Sequence, residues 1–381
     1  MAIFSNKYNS IVPKTPRMQS LRKKFPVLNQ CLYANTASAG LLSEDLMEWR
    51  QGHDLDFLIG GSEMKVKSFA HMPEIKKTVG KFFNCKPANV ALVPNFSLGL
   101  NMLLEGLSKD KKVLLLQNDY PSMNWPFETR NFNRDYVAID ERMEENIYEK
   151  VKSEGIDVFA LSLVQWINGV KIDLEFLKQL KKDFPNLLII GDGTQYCGTE
   201  IFDFETSGVD ILGTSAYKWL LAGYGNGFFL VKDAVKDQFQ LKGIGNGSVK
   251  NDQSKRDSIS FCNFLEPGHL DTFNFGSLEF ALNFLDDIGL EHIQSHLQKL
   301  SAKAKEAFAE LGLLEEGVLG RSQHSTIFSI KEDQKLFHKL TEENVVASLR
   351  GGGIRFSFHF YNTEDEIDVI RTLLKRWLSK G

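Results

Sequence analysis

Two short segments contain the residue types best suited to chemistry, Gly191-Asp192-Gly193-Thr194-Gln195 and Gly213-Thr214-Ser215-Ala216-Tyr217-Lys218-Trp219. Each overlaps the end of an apolar run typical of a buried strand, so an acid and a lysine follow two successive strands. A lysine amine forms a Schiff base with an aldehyde cofactor, and a carboxylate keeps a pyridinium nitrogen protonated. These two groups are the ones that operate pyridoxal phosphate (PLP). We therefore expect Lys218 and Asp192 to be catalytic.

The neighbours of these two residues make the PLP interpretation more specific. A single lysine after a strand is most often a solvated surface residue. Here Gln195 is placed to hydrogen-bond the phenolic oxygen of the cofactor, and Ser215 and Tyr217 are placed to reach its phosphate. The pattern D-x-x-Q followed by S-x-Y-K on the next strand is more specific than any single member.

A third segment, residues 94–101, joins an apolar strand to an apolar helix and includes Ser97. A serine at a helix start, with free N–H groups and the positive end of the helix dipole, suits a phosphate. A plain N-cap is the alternative, and the acid and lysine at the same predicted sheet edge favour phosphate binding. Tyr120 follows another strand and either stacks on the pyridine ring or is an ordinary turn residue. Gln165, one strand over, is a candidate contact to the cofactor oxygen.

Two arginines, Arg350 and Arg355, lie around a glycine run near the C-terminus. An amino acid substrate needs its carboxylate held, and a bidentate guanidinium does this best. A surface ion pair is the alternative role for either residue. Arg355 lies within an alternating strand pattern that fixes its position, so it is the preferred carboxylate ligand, whereas Arg350 is nearer the loop.

The elements that must position these residues form an α/β pattern. Short apolar runs alternate with amphipathic helical stretches between about residues 60 and 235. Strands that are apolar on both faces and separated by helices predict a mostly parallel seven-stranded sheet sandwiched by helices, with ligands at its carboxyl edge. The predicted strands are Val90–Val93, Val113–Gln117, Tyr136–Ile139, Val158–Val164, Leu187–Gly191, Ile211–Gly213 and Gly227–Val231.

A smaller C-terminal α+β domain is predicted from about residue 275. Its expected helices are Ser277–Ile288, Glu291–Leu311 and Glu364–Leu378, and its expected strands are Ser325–Ile330 and Gly353–His359. We divide the chain into an N-terminal segment that packs with the small domain (residues 1–28), a large PLP-binding domain (29–274) and the small domain (275–381). Two segments interpreted as loops, Asp54–Ser62 and Gly243–Lys250, are expected to select the substrate side chain.

Composition excludes several classes of function. The net charge of −4, without any basic block, argues against a nucleic-acid partner. No apolar run approaches the ~20 residues of a membrane span, and residues 1–22 lack the apolar core of a secretory signal. The four cysteines include no C-x-x-C pair and are interpreted as reduced thiols. We expect a cytoplasmic protein without a metal site and without a membrane partner.

These segments resemble the class V aminotransferase family, fold-type I PLP enzymes that include cysteine desulfurases, selenocysteine lyases, isopenicillin-N-epimerase-like proteins and kynureninases. The resemblance covers nearly the whole chain, from Leu32-Tyr33-Ala34-Asn35-Thr36-Ala37-Ser38 to Arg355–Asp368. It implies the fold of a fold-type I PLP-dependent transferase, PLP as the cofactor and an amino acid as the substrate. It also implies a homodimer with active sites at the subunit interface.

The resemblance also implies roles for individual residues. Lys218 would form the Schiff base and Asp192 would partner the pyridinium, with Tyr120 at the ring-stacking position that is often histidine. The implied phosphate contacts are Phe96, Ser97, Ser215 and Tyr217, with Gln195 at the phenolic oxygen. Arg355 would bind the substrate carboxylate, and Asn35 and Ser38 lie in the substrate-facing segment. His269 stands where a threonine usually reaches the phosphate of the neighbouring subunit, and Thr272 or Asn274 are possible substitutes.

One departure from the family separates its branches. Desulfurases and many selenocysteine lyases have a cysteine shortly before the carboxylate arginine, whereas this chain has none after Cys262. We therefore predict a class V aminotransferase that transfers an amino group to a keto acid. A PLP-dependent lyase or epimerase is the alternative, and a lyase would need a leaving-group acid, for which His359 and Tyr361 are candidates. A non-catalytic PLP-fold binding module is disfavoured because Lys218 and Asp192 are both present.

Overall fold

The computed structural model describes residues 16–331 and 333–379. Its helices are α1 (Pro16–Lys23), α2 (Glu44–Gly60), α3 (Ser62–Phe83), α4 (Phe96–Leu104), α5 (Pro121–Thr129), α6 (Met143–Glu154), α7 (Leu174–Asp183), α8 (Phe261–Phe264), α9 (Thr272–Ile288), α10 (Leu290–Glu310), α11 (Glu316–Leu319), α12 (Gln334–Glu342) and α13 (Glu364–Leu378). Its strands are β1 (Leu32–Tyr33), β2 (Val90–Val93), β3 (Lys112–Leu116), β4 (Asn133–Val137), β5 (Val158–Ser162), β6 (Leu188–Asp192), β7 (Ile211–Ser215), β8 (Gly227–Val231), β9 (Ile327–Lys331), β10 (Val345–Val346), β11 (Ser348–Arg350) and β12 (Gly353–Ser357). Among these helices none is both long and apolar enough to cross a membrane.

The central sheet has seven strands in the order β2-β8-β7-β6-β5-β3-β4. Only β8 runs against its neighbours, since its pairings with β2 and β7 are antiparallel and the other pairings are parallel. Strands β2, β5, β6, β7 and β8 are buried along their whole length, as expected when helices cover both faces. The predicted mostly parallel, helix-sandwiched sheet is therefore confirmed.

One predicted strand is displaced along the chain. The expected strand Tyr136–Ile139 is β4 in the structure and begins three residues earlier, with Asn133 opposite Lys112 of β3. Because β4 is an edge strand, its first four residues are partly exposed and polar, and only Val137 is buried. The apolar run used for the prediction therefore marks only the end of this strand.

Residues 54–62 span the end of α2, Gly61 and the start of α3, so the prediction that Asp54–Ser62 is a loop is wrong. Helix α2 continues to Gly60, and α3 begins at Ser62 after a single residue. Trp49 of α2 packs against Phe273 and Phe280 of α9, with ring centroids 6.4 Å apart in both pairs. Tertiary packing on α9 thus stabilises a helix whose own sequence is only weakly amphipathic.

The small C-terminal part is joined to the N-terminal part of the chain. Its sheet has the antiparallel order β11-β12-β9, and β1 pairs in parallel with β10. Arg22 forms an ion pair with Glu366 (3.0 Å), a residue of the capping box that begins α13. Helix α9 spans residue 275 and packs on α2 and α3, so the expected domain boundary at this residue stays a prediction.

Phe229 of β8 sets how closely α4 approaches the sheet. Its ring stacks on that of Phe96 with a centroid separation of 5.6 Å. A Cβ atom at Gly99 would lie 2.2 Å from Phe229 Cε2, and one at Gly213 would lie 2.4 Å from Cζ. Glycine at both positions therefore lets the ring fill the gap between α4 and β7, which fixes the start of α4 at the sheet edge.

We expect Gly99→Ala to destabilise the protein by about 1–3 kcal/mol, the range for overpacking a tight contact, although alanine is the better helix former. Urea unfolding at equilibrium measures this change in the free energy of unfolding. Gly52 is the matched control, since it lies within α2 and a Cβ atom there would meet nothing within 4 Å. Gly52→Ala should stabilise by up to about 1 kcal/mol. Equal stabilisation by both substitutions would contradict the packing argument.

Candidate active site

A cavity of about 440 Å³ lies at the carboxyl edge of β6 and β7. Its walls come from the start of α4, the residue before α5, the ends of β6 and β7, and the turn that precedes β8. The lining residues are Pro94, Asn95, Phe96, Ser97, Tyr120, Asp192, Thr194, Ser215, Tyr217, Lys218, Tyr224 and Gly225. The structure therefore brings together seven of the residues selected from the sequence: Phe96, Ser97, Tyr120, Asp192, Ser215, Tyr217 and Lys218.

Lys218 and Asp192 are both buried in the wall of this cavity, with 5% and 4% of their surfaces exposed. Burial lowers the pKa of Lys218 from 10.5 to about 7, although attraction to Asp192 opposes the shift. Burial likewise raises the pKa of Asp192 to about 6, although the backbone N–H of Thr194, 2.8 Å away, donates a hydrogen bond to it. A substantial fraction of the Lys218 amine is thus neutral near pH 7 and available as a nucleophile or base.

Hydroxyl groups and a helix start form one wall of the cavity. Asn95 caps α4 by accepting the N–H of Leu98 (2.9 Å), and Ser215 Oγ accepts the N–H of Phe96 (2.9 Å). The hydroxyl of Ser97 also lies on this wall and contacts Ser122 Oγ at 2.7 Å. The positive end of the α4 dipole together with serine hydroxyls favours an anionic group here. Phe96 contributes only its backbone, because its ring is buried against β8.

Aromatic rings surround the Lys218 amine. The Nζ atom lies 5.5 Å from the ring centroids of both Tyr120 and Tyr217. Tyr217 stacks on Tyr224 with centroids 4.4 Å apart, and Tyr120 meets Trp166 edge-on at 5.5 Å. Tyr224 was not selected from the sequence. The sequence feature that could have identified it is its position between Gly223 and Gly225, shortly after Lys218. Both glycines adopt positive φ.

The predicted substrate residues lie beside this cavity rather than in its lining. Arg355 is buried and donates from its guanidinium to the carbonyl of Trp166 and to Ser38 Oγ, the latter at 2.8 Å. Burial, reinforced by Arg350, lowers the pKa of Arg355 to about 10, so it stays charged at neutral pH. Its Nε atom and Asn35 Oδ1 are buried without a partner among the described residues.

Two predicted cofactor contacts, Gln195 and Gln165, lie outside the cavity lining. The Gln195 amide donates to Ala37 O (3.0 Å) and accepts from Trp219 Nε1 (2.7 Å). Gln165 donates to Ser162 O at 3.4 Å. Both side chains are therefore engaged within the protein, and their contact with the cofactor stays a prediction.

His269 and Thr272 also lie outside this cavity. His269 packs edge-on against Phe69 (5.5 Å), and the hydroxyl of Thr272 lies 3.1 Å from His53 Nε2. Their implied contact with the phosphate of a neighbouring subunit stays a prediction, as does the role of Asn274, which hydrogen-bonds Asp271.

The two residues considered as leaving-group acids are in the core, so that prediction is wrong. His359 accepts the N–H of Phe360 at Nδ1 (2.8 Å) and donates from Nε2 to Trp219 O (2.9 Å). Burial lowers the pKa of His359 to about 3, so its ring is neutral. The Tyr361 hydroxyl is buried against Thr36 Oγ1 at 2.6 Å. Neither residue lines the cavity.

Asp119 is a positioning residue that sequence reasoning missed. This buried carboxylate accepts the backbone N–H of Tyr120 (2.6 Å) and that of Ser162 (2.7 Å). Ser162 pairs with Asp192 across β5 and β6, so Asp119 connects Tyr120 to the strand beside Asp192. The sequence feature that could have identified Asp119 is its position directly before Tyr120, just after a predicted strand.

A family model described as aminotransferase class V matches residues 59–370. This chain belongs to that family. A curated relative named as an uncharacterized aminotransferase, YcbU of Bacillus subtilis, is 23% identical over an alignment of 361 positions that covers 92% of this chain and 95% of that protein. A probable cysteine desulfurase of Borreliella burgdorferi is 21% identical, with 97% of this chain and 98% of that protein covered.

Solved structures share the fold along almost their whole length. The apo cysteine desulfurase of Thermococcus onnurineus NA1 has a TM-score of 0.84 at 19% identity, covering 97% of this chain and 99% of that one. A mutant of C-DES with glycine covalently linked to its PLP cofactor has a TM-score of 0.82 at 16% identity, covering 93% and 98%. The family and these neighbours confirm PLP as the cofactor and the fold expected for it.

The cavity fits PLP in its charge distribution. Lys218 would supply the attachment amine, and Asp192 would supply the carboxylate for the ring nitrogen. The hydroxyls of Ser97 and Ser215 and the start of α4 suit the phosphate, and Tyr120 offers a ring face. All these groups line the same cavity, which is the arrangement that the sequence pattern anticipated.

We expect covalent attachment of PLP to the purified apoprotein to speed up as pH rises and to level off above about pH 7, where the Lys218 amine is neutral. Attraction to Asp192 raises the pKa of Lys218, so Asp192→Asn should move the midpoint of this profile to lower pH. Borohydride trapping followed by mass spectrometry of the Lys218 peptide gives the rate. A midpoint near pH 10 in the wild type would contradict the proposed environment of the amine.

Proposed function

We propose that this protein is a PLP-dependent aminotransferase that transfers the amino group of an amino acid to a keto acid. The observation that carries the proposal is the buried Lys218 amine, because burial lowers its pKa to about 7. The amine is attracted to Asp192 and lies 5.5 Å from the ring centroids of two tyrosines. When bound, PLP supplies an electron sink for negative charge that develops at the substrate α-carbon.

The chain's own residues would transfer the proton, keep the ring nitrogen protonated and bind the substrate carboxylate. Lys218 Nζ would accept the α-proton of the substrate and deliver it to the carbon on the other side of the substrate nitrogen, which a base with a pKa near 7 does efficiently. Asp192 holds a proton at the pyridine nitrogen by its negative charge. Arg355 binds the α-carboxylate with the N–H groups that Trp166 and Ser38 leave free.

A PLP-dependent lyase is the second candidate, because it uses the same lysine, acid and carboxylate ligand. Several curated relatives are named probable cysteine desulfurases, and one solved neighbour is the cystine C–S lyase C-DES. Desulfuration through a cysteine thiolate is less well supported, since burial raises the pKa of Cys31, Cys85 and Cys262 to about 11, 12 and 11. No cysteine lines the described cavity.

We expect Lys218→Ala to lose roughly a thousandfold or more of the turnover, because it removes both the attachment amine and the general base. Lys242→Ala, at an exposed lysine outside the cavity lining, is the matched control and should keep wild-type turnover. Substantial turnover by Lys218→Ala would contradict the assignment.

The reaction type is decided by incubating the PLP-loaded protein with a panel of amino acids, without and then with a keto acid. An aminotransferase consumes about one equivalent of amino acid per site and continues only after the keto acid is added. A lyase forms its products continuously without a keto acid. Absence of any reaction across the panel would contradict both candidates.

We also propose a homodimer located in the cytoplasm. Helices α2 and α3 expose apolar side chains near Gly61, the residue that joins them. These side chains are Leu58 (81% exposed), Ile59 (78%), Leu55 and Val66. Such patches on a protein surface commonly mark interfaces. Light scattering of the purified protein should give twice the 43.2 kDa chain mass, and a monomer would contradict the dimer.

The four free cysteines support the proposed location in the cytoplasm, where thiols stay reduced. Cell fractionation tests this location.

A further inference from the structure

Arg350 and Arg355 project from the same face of one β-hairpin. In the β11–β12 pairing, Ser348 is opposite Arg355 and Arg350 is opposite Gly353. Opposite residues of an antiparallel pair share a face, as do alternate residues of one strand. Arg350 is therefore the diagonal neighbour of Arg355 on that face. Such neighbours are close enough for two long side chains to reach one small ligand.

The turn of this hairpin fixes the register and holds the arginines towards the active site. Gly351 and Gly352 both have positive φ (58° and 76°), as a two-residue hairpin turn requires. The turn packs on the large domain so tightly that a Cβ atom at Gly351 would lie 2.6 Å from Ile167 Cδ1. On the arginine-bearing face, Ser348 Oγ accepts from Ser38 Oγ (3.4 Å), the hydroxyl that also binds Arg355. This face is therefore the one directed at the substrate-facing segment.

The two arginines differ in how far the protein already satisfies them. Arg355 has two internal acceptors, Trp166 O and Ser38 Oγ, and keeps enough N–H groups for one carboxylate. Arg350 is exposed and has no hydrogen bond or ion pair with the described residues. Both charges act on Lys218, since each lowers the pKa of its amine. The substrate side of the site thus carries one more positive charge than a single α-carboxylate needs.

We propose that the amino acid substrate has an acidic side chain, whose carboxylate binds Arg350 while its α-carboxylate binds Arg355. The buried arginine takes the α-carboxylate because its fixed position sets the α-carbon relative to Lys218. The exposed arginine takes the side-chain carboxylate and selects for it. This inference rests on the proposed function only in requiring that an amino acid binds at this cavity, and it holds for either transamination or elimination.

The experiment titrates the PLP-loaded protein with aspartate, asparagine, glutamate, glutamine and alanine and follows the absorbance of the cofactor. Aspartate and asparagine, like glutamate and glutamine, match in size and differ in one charge. We expect at least one acid to bind about tenfold or more tightly than its amide, as for a charge-assisted hydrogen bond. The ratio should fall as ionic strength rises, because the Arg350 side chain is exposed to solvent.

Arg350→Gln should reduce that acid-to-amide ratio to near one. Arg142→Gln, which removes an equal charge from an exposed arginine between β4 and α6, outside the cavity lining, should keep the wild-type ratio. Equal affinities for acids and amides in the wild type, or an unchanged ratio in Arg350→Gln, would overturn the inference while leaving the proposed function intact. If no amino acid changes the absorbance, the proposed function fails as well.

Discussion

Burial of a lysine amine beside a carboxylate at one edge of the sheet is the constraint on which the rest of this structure depends. Removal from water disfavours the charged form of both Lys218 and Asp192, and their mutual attraction only partly compensates. A buried pair of this kind contributes little to stability, because desolvation of the two charges cancels most of their attraction. The stability of the fold must therefore come from other parts of the chain.

The apolar strands and their covering helices provide that stability. Five of the seven central strands are buried along their whole length, and their alternate side chains belong to two apolar clusters, one on each face of the sheet. The same packing sets the cavity wall, since Phe229 fills the space left by Gly99 and Gly213. Core packing thus helps to place the start of α4, together with its hydrogen bonds to Asn95 and Ser215.

The groups proposed to face the cofactor and those proposed to face the substrate come from different parts of the fold. Lys218, Asp192 and the start of α4 lie at the edge of the central sheet, whereas Arg355 lies on the β11–β12 hairpin of the C-terminal part and reaches Ser38 across 317 residues of sequence. This separation explains why the cofactor is better defined than the reaction. Groups around the PLP ring serve transamination and elimination alike, while the outcome depends on what surrounds the substrate side chain.

The sequence by itself determined the central sheet and the place of Lys218 and Asp192 at one edge of it, while their catalytic roles and the carboxylate-binding role of Arg355 stay predictions. Strand periodicity is local, and parallel strands deliver the residues after them to one edge, so Lys218 and Asp192 were placed by pattern alone. Only the tertiary structure decided that residues 54–62 are helical, that His359 and Tyr361 point into the core, and that Asp119 fixes Tyr120. The reason is physical: whether a side chain faces a cavity or the core depends on packing between elements far apart in sequence, which no local spacing encodes.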